Sequence, residues 1–189
     1  GGITGFHPLS VRGPEARARG VRLSNAGEAP LDAMATGILD ILYGREPAPP
    51  RHTISSVMIE TIRKEGVAAA VAQYRNIKAK SAARYDFSES QLNNLGYALL
   101  GEGRTADAVE VFRLNVEAYP ESGNVHDSLG EAYMKAGDRE AAIKSYARSL
   151  QLDPGNDAAM QALQKLYARS GAWDRYVRLL EDQLGTVSG

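Results

Sequence analysis

The spacing of apolar residues changes twice along this chain, and the changes divide it. From Ile3 to Val11 and from Val21 to Ser24 the text is short and β-friendly. The intervening RGPEARARG carries the Gly and Pro of a turn, so residues 1–25 predict a β-hairpin. From Pro30 onward Leu31, Met34, Ile38, Leu39, Ile41 and Leu42 return at three- and four-residue steps. That is one apolar helix face, and Gly44 ends the helix. REPAPPR cannot continue it, because successive prolines remove amide donors and hold the preceding residues extended. Residues 45–52 are read as a stiff linker between 1–44 and the rest of the chain.

Beyond the linker the helical period persists and the text begins to repeat. Ser55 and Ser56 offer N-cap oxygens to a helix running to about Lys64, Gly66 stops it, and VAAAVAQYRNIKAK forms a second helix. RYDFSES breaks the period, and Ser88 or Ser90 can cap the next helix. Leu95-Gly96 then returns as Leu129-Gly130, while Ala108, Phe112 and Pro120 return as Ala142, Tyr146 and Pro154, each 34 residues later (142 − 108, 146 − 112, 154 − 120). Identity at a fixed period over two helices predicts stacked helical hairpins, with helices at 89–101, 105–118, 123–135 and 139–152. Gly96, Gly130, Ala108 and Ala142 let paired axes approach, and Leu95, Leu129, Phe112 and Tyr146 fill the space around them. Gly103 and Gly137 are expected at positive φ, and Pro120 and Pro154 close the second helices.

The period reaches further in both directions. Leu163, Tyr167 and Gly171 carry it into residues 157–184, where Gln164 replaces the Gly and Tyr176 the small Ala. A polar outer face of Glu181, Asp182 and Gln183, with Trp173 over the core, reads as a capping hairpin. Upstream, Gly66, Ala70 and Tyr74 mark residues 53–80 as a degenerate unit.

The order Leu-Gly, Tyr, turn Gly, Ala, aromatic, Pro resembles the tetratricopeptide repeat. The resemblance covers 53–184 and implies a mainly α fold, an α-α superhelix of stacked hairpins, preceded here by the short β-hairpin and helix. It implies protein or peptide binding without catalysis, on a concave face lined by the first helix of each unit. By register that face presents Asn93, Asn94, Tyr97, Asp127, Ser128, Glu131, Gln161 and Lys165. Such side chains can hydrogen-bond an extended backbone; the alternative is a plain solvated face. The clamp that some relatives close on acidic chaperone tails needs Lys and Asn where Asn93, Tyr97, Ser128, Ala158 and Ala162 stand, which argues against carboxylate-tail capture. Tyr97 with the two asparagines is the first choice of contact.

GGITGF, with VRLSN and a helix after it, resembles the C-terminal end of serine β-lactamase-related hydrolases. On that reading residues 1–44 are the remnant of such a domain and the repeats are its appendage. The missing initiator Met and the Gly1-Gly2 start read the same way, as a chain cut from something longer. The family's chemistry needs a Ser-x-x-Lys nucleophile, and no Ser here has Lys three residues later. The one Tyr-x-Asn, Tyr74-Arg75-Asn76, sits inside a predicted helix and downstream. No enzyme activity is expected.

Composition narrows the remaining classes. A chain of 189 residues with 43% apolar and 24% charged residues can bury a core, and its net charge of −1 sets up no field to draw nucleic acid or an anionic membrane. There is no cysteine for a disulfide or a thiolate metal site. No export signal and no run of apolar residues long enough for a membrane span is apparent. His7, His52 and His126 lack the companion spacing of metal ligands, so no metal or cofactor is expected; His126 reads as partly buried between helices. Tyr119, Tyr133, Tyr146 and Tyr167 read as core. The expected partner is a protein or peptide, a second copy included, and the compartment is left open.

Overall fold

The structure is a computed structural model that describes residues 7–13, 18–24, 31–47, 51–172, 174–175 and 177–178. The chain divides into two compact units, 1–51 and 52–189. In the first, β1 (His7–Gly13) and β2 (Ala18–Ser24) pair antiparallel with His7 opposite Ser24 and Gly13 opposite Ala18. Helix α1 (Leu31–Leu42) comes next and ends at Gly44, whose φ is 68°. The hairpin and helix are those the spacing predicts. The Gly-Gly-x-x-Gly-Phe segment lies outside the described residues.

The second unit is an array of helical hairpins. Two-residue strand β3 (His52–Thr53) leads into α2 (Ile54–Glu65), and Gly66 alone links α2 to α3 (Val67–Ser81). A 3-10 turn (Ala82–Arg84) and strand β4 (Tyr85–Asp86) precede α4 (Glu89–Gly101) and α5 (Thr105–Ala118), then α6 (Gly123–Ala136), α7 (Arg139–Leu152) and α8 (Asp157–Ser170). Each helix packs on the next within its hairpin. First helices also touch one another in the series α2, α4, α6, α8, and second helices α3 and α5 touch on the opposite side. Two faces result, one built of first helices and one of second helices.

Local chemistry explains the boundaries. Asp138 and Asn156 cap α7 and α8 by accepting from the amides of Ala141 and Ala159, both at 3.0 Å. Gly137 and Gly171 close α6 and α8 in the left-handed conformation that a side chain resists. Gly96 and Gly130 explain the close crossings within hairpins. A Cβ at Gly96 would stand 2.5 Å from Cζ of Phe112, and one at Gly130 2.7 Å from Cε1 of Tyr146. The continuous core runs from Ile54 and Met58 through Tyr74, Leu92, Leu99, Val111 and Phe112, all buried, and a second cluster around Tyr146, Leu163 and Leu166 extends it to α8.

Two expectations are corrected and one element is added. Thr53, not Ser55 or Ser56, is the N-cap of α2; its hydroxyl donates to Ser56 Oγ, which in turn donates to the Thr53 carbonyl, while Ser55 reaches across to Gln91 at 2.7 Å. Tyr119 is half-buried at the end of α5 and donates its hydroxyl to the Phe87 carbonyl, so it serves as a tie between loop and helix and not as helix core. The RYDFSES break contains β4, which pairs parallel with β3, His52 opposite Tyr85. Trp173, Tyr176, Glu181, Asp182 and Gln183 lie outside the described residues; of the second helix of the capping unit only 174–175 and 177–178 are described, and these are helical.

Candidate functional site

On the first-helix face, residues 34 apart form ladders. Asn93, Asp127 and Gln161 make one rung across α4, α6 and α8, and Tyr97, Glu131 and Lys165 make the next, one turn further along the same helices. Period 34 and the 3.6-residue turn together put all six on one side.

Tyr97 is the centre of this surface. Its ring meets Phe112 edge-on, centroids 5.2 Å apart, and its hydroxyl donates towards Ser128 Oγ at 3.1 Å and Glu131 Oε2 at 3.0 Å. Both ends are held, yet the residue stays 38% exposed. Burial of the phenol beside two carboxylates pushes its pKa up to about 12, so the hydroxyl keeps its proton and remains a donor. Ser128 is 1% exposed; it supports Tyr97 from beneath and cannot itself reach a bound segment. Asn94 is exposed beside them, and Gln161 and Lys165 are exposed on α8.

Half-buried acceptors lie on the upper rung. Asn93 Oδ1 and Asp127 Oδ1 are each shielded from solvent without a hydrogen-bond partner in the chain. Desolvation, with the nearby charge of Glu131 adding to it, raises the Asp127 carboxyl pKa, against a hydrogen bond from Asn156 that lowers it. An unmet acceptor at this depth costs about 1–3 kcal/mol.

Between α6 and α8 the face deepens into a groove of about 480 Å³, with Met134, Tyr146, Ala162 and Leu166 among its apolar walls. Its rim carries Glu131, Gln161 and Lys165, which the sequence singles out, and Lys135 and Arg169, which it does not. The signal for those two was present: 169 − 135 is again 34, one turn beyond the Glu131–Lys165 rung.

The remaining singled-out residues are placed elsewhere. His126 is half-buried with Nε2 3.0 Å from the Pro120 carbonyl, His52 stacks obliquely on Tyr85, and among the described residues no cluster of His, Asp and Glu could hold a metal ion. Tyr74, Arg75 and Asn76 lie within α3, where Tyr74 is core and Arg75 clamps Glu117 of α5 at 2.6 Å. Among the described residues no helix is long and apolar enough to cross a membrane.

These hairpins and their ladders define a helical-repeat array with a groove between α6 and α8. Residues 123–156 match the family model of the tetratricopeptide repeat. No curated protein sequence matches the chain. Among solved structures, a single-site mutant of MamA is similar with a TM-score of 0.51 at 19% identity, over 70% of this chain and 93% of that one. A crystal structure of MamA is similar at a TM-score of 0.49, 16% identity, 71% and 77% covered, and a MamA of Desulfovibrio magneticus RS-1 at 0.46, 17% identity, 70% and 72% covered. At such identities the likeness speaks for the fold, and the first of the three carries it. Fold and repeat match support a protein-interaction module. No comparison supports the resemblance of residues 1–44 to serine hydrolases.

Proposed function

We propose that the chain is a non-catalytic binding module that holds an extended protein or peptide segment along its first-helix face, with Tyr97 as the main contact. The observation that carries this reading is the state of Tyr97. A large aromatic is left partly exposed, yet fixed by Phe112, Ser128 and Glu131 before anything binds. Contact through it therefore forfeits little side-chain entropy, which is what makes rigid aromatics good anchors. Asn93 and Asp127 stand one turn away, half-buried, as polar neighbours of a segment laid over Tyr97. Asn94, Gln161 and Lys165 are free to adapt around the segment.

A pull-down from source lysate with the full chain as bait tests this, comparing wild type with a variant carrying Asn93→Ala, Asn94→Ala and Tyr97→Ala. A partner retained by wild type and lost from the variant is the expected result. Partners indifferent to the three changes would count against this face. Sedimentation at two concentrations tells whether a second copy is that partner.

A further inference from the structure

The groove between α6 and α8 is polarised along its length. On α6 Glu131 lines the groove with Lys135 one turn after it, and Asp127 stands one turn before Glu131, just outside the lining. On α8 the neutral Gln161 gives way to Lys165 and Arg169. The upper end of the groove is thus acidic and the lower end basic. None of these five charges enters an ion pair among the described residues, although seven pairs form elsewhere among them. Opposite charges on one helix at positions four apart ordinarily pair, as Glu60 and Lys64 do. Glu131 instead points its carboxylate at Tyr97 and leaves Lys135 to the groove. Apolar Met134, Tyr146 and Leu166 lie between the two ends.

We infer that this groove selects an extended peptide of opposite polarity, with a basic side chain over Asp127 and Glu131 and an acidic one over Lys135, Lys165 and Arg169. This rests on the first-helix face being the binding face. Asp127 and Lys135 stand about 12 Å apart along the axis at the helical rise. An extended chain covers that distance in about three or four residues. The recognised pattern is therefore one Lys or Arg and one Asp or Glu separated by that interval, with an apolar side chain between them for the groove floor. The basic partner faces the half-buried Asp127 carboxylate and Glu131, and the acidic partner gives Lys135, Lys165 and Arg169, which form no ion pair among the described residues, a counter-charge. Complementary charges of this kind set register and exclude wrong sequences more than they raise affinity.

Selection of random octapeptides displayed on phage against the full chain, then against Lys165→Glu/Arg169→Glu, tests the inference. Wild type should enrich the basic–acidic pair at the stated interval. The double variant should bind the wild-type peptides about tenfold or more weakly and should enrich peptides lacking the acidic residue or carrying a basic one in its place. Gln replacements at both positions, with thermal melts compared to wild type, separate loss of charge from loss of folding. Peptides enriched without a charge pattern, or the same pattern on wild type and variant, would overturn the inference; if Tyr97→Ala still abolished their capture, the binding face itself would stand. No enrichment on wild type, with self-association weakened by the double variant, would overturn it in favour of a second copy as occupant.

Discussion

Gly130→Ala adds one methyl group where α6 crosses α7. Its Cβ would stand 2.7 Å from Cε1, 2.8 Å from Cδ1 and 3.0 Å from Cγ of Tyr146, well inside the ~3.5–4.0 Å of an unstrained carbon pair. The contact runs along the ring from Cγ outward, so swinging the ring tip does not relieve it. Tyr146 is 4% exposed, and although it borders the groove, clearing the contact requires the whole ring to shift from Cγ outward. Overpacking of this kind costs about 1–3 kcal/mol. Alanine recovers about 0.5–1 kcal/mol of helix propensity relative to glycine, which leaves a net loss of about 0.5–2 kcal/mol. Gly101→Ala is the matched control, since Gly101 is helical and nothing lies within 4 Å of its added Cβ. Only the propensity gain applies there, reduced because Gly101 is the last residue of α4, so the expected change is a gain of up to about 1 kcal/mol. Urea unfolding followed by far-UV circular dichroism measures both. Equal signs for the two variants, or a Gly130→Ala protein at least as stable as wild type, would refute the close-crossing account of the hairpins.

Other substitutions probe the caps and the site. Gly137 sits at φ 84° with open space around its Cβ position, so Gly137→Ala should cost about 1 kcal/mol from backbone strain alone while Gly137→Asn is better tolerated; urea midpoints decide. Tyr97→Phe keeps the edge contact with Phe112 but deletes the two hydroxyl hydrogen bonds, and should lower stability by about 1 kcal/mol in the same assay. For Asp127 the folded pKa lies above its ordinary 3.8, so the native state holds the proton more tightly than the unfolded chain. Its contribution is fully present below the ordinary value and is lost as pH rises through the raised one. Asp127→Asn lacks that loss: the stability difference, variant minus wild type, should grow as pH rises from about 4 towards neutrality, and a difference independent of pH would contradict the burial of this carboxyl.

Much of the fold is legible in the sequence because it repeats. A 34-residue period fixes both the phase of each helix and the partner of each small residue, which is why Gly96 pairs with Phe112, and Gly130 with Tyr146, on the period alone. The parts that do not repeat are not legible. The β3–β4 bridge joins two dipeptides across the α2–α3 hairpin, with no periodic pattern to announce it. Thr53 is masked as a cap by the two serines that come after Ile54, and helix boundaries rest on backbone geometry that such neighbours cannot decide. In the site, register puts the right residues on the first-helix face but does not distinguish depth. Ser128 and Asn94 occupy the same position of successive repeats, yet Ser128 is buried and Asn94 exposed, since Tyr97 covers the former. Lys135 and Arg169 carry the 34-residue spacing but are passed over for a different reason: charged residues near helix ends read as solvated, and the groove between α6 and α8 is what gives that spacing a role on its rim.

The most direct measurement of the central claim is site-specific photocrosslinking in source lysate, with a photoreactive phenylalanine analogue placed at Gln161 on the first-helix face or at Lys78 on α3. The account predicts a discrete crosslinked species from position 161, diminished by Tyr97→Ala in the same chain, and none from position 78. A species captured equally from both positions, or from position 78 alone, would contradict binding on the first-helix face.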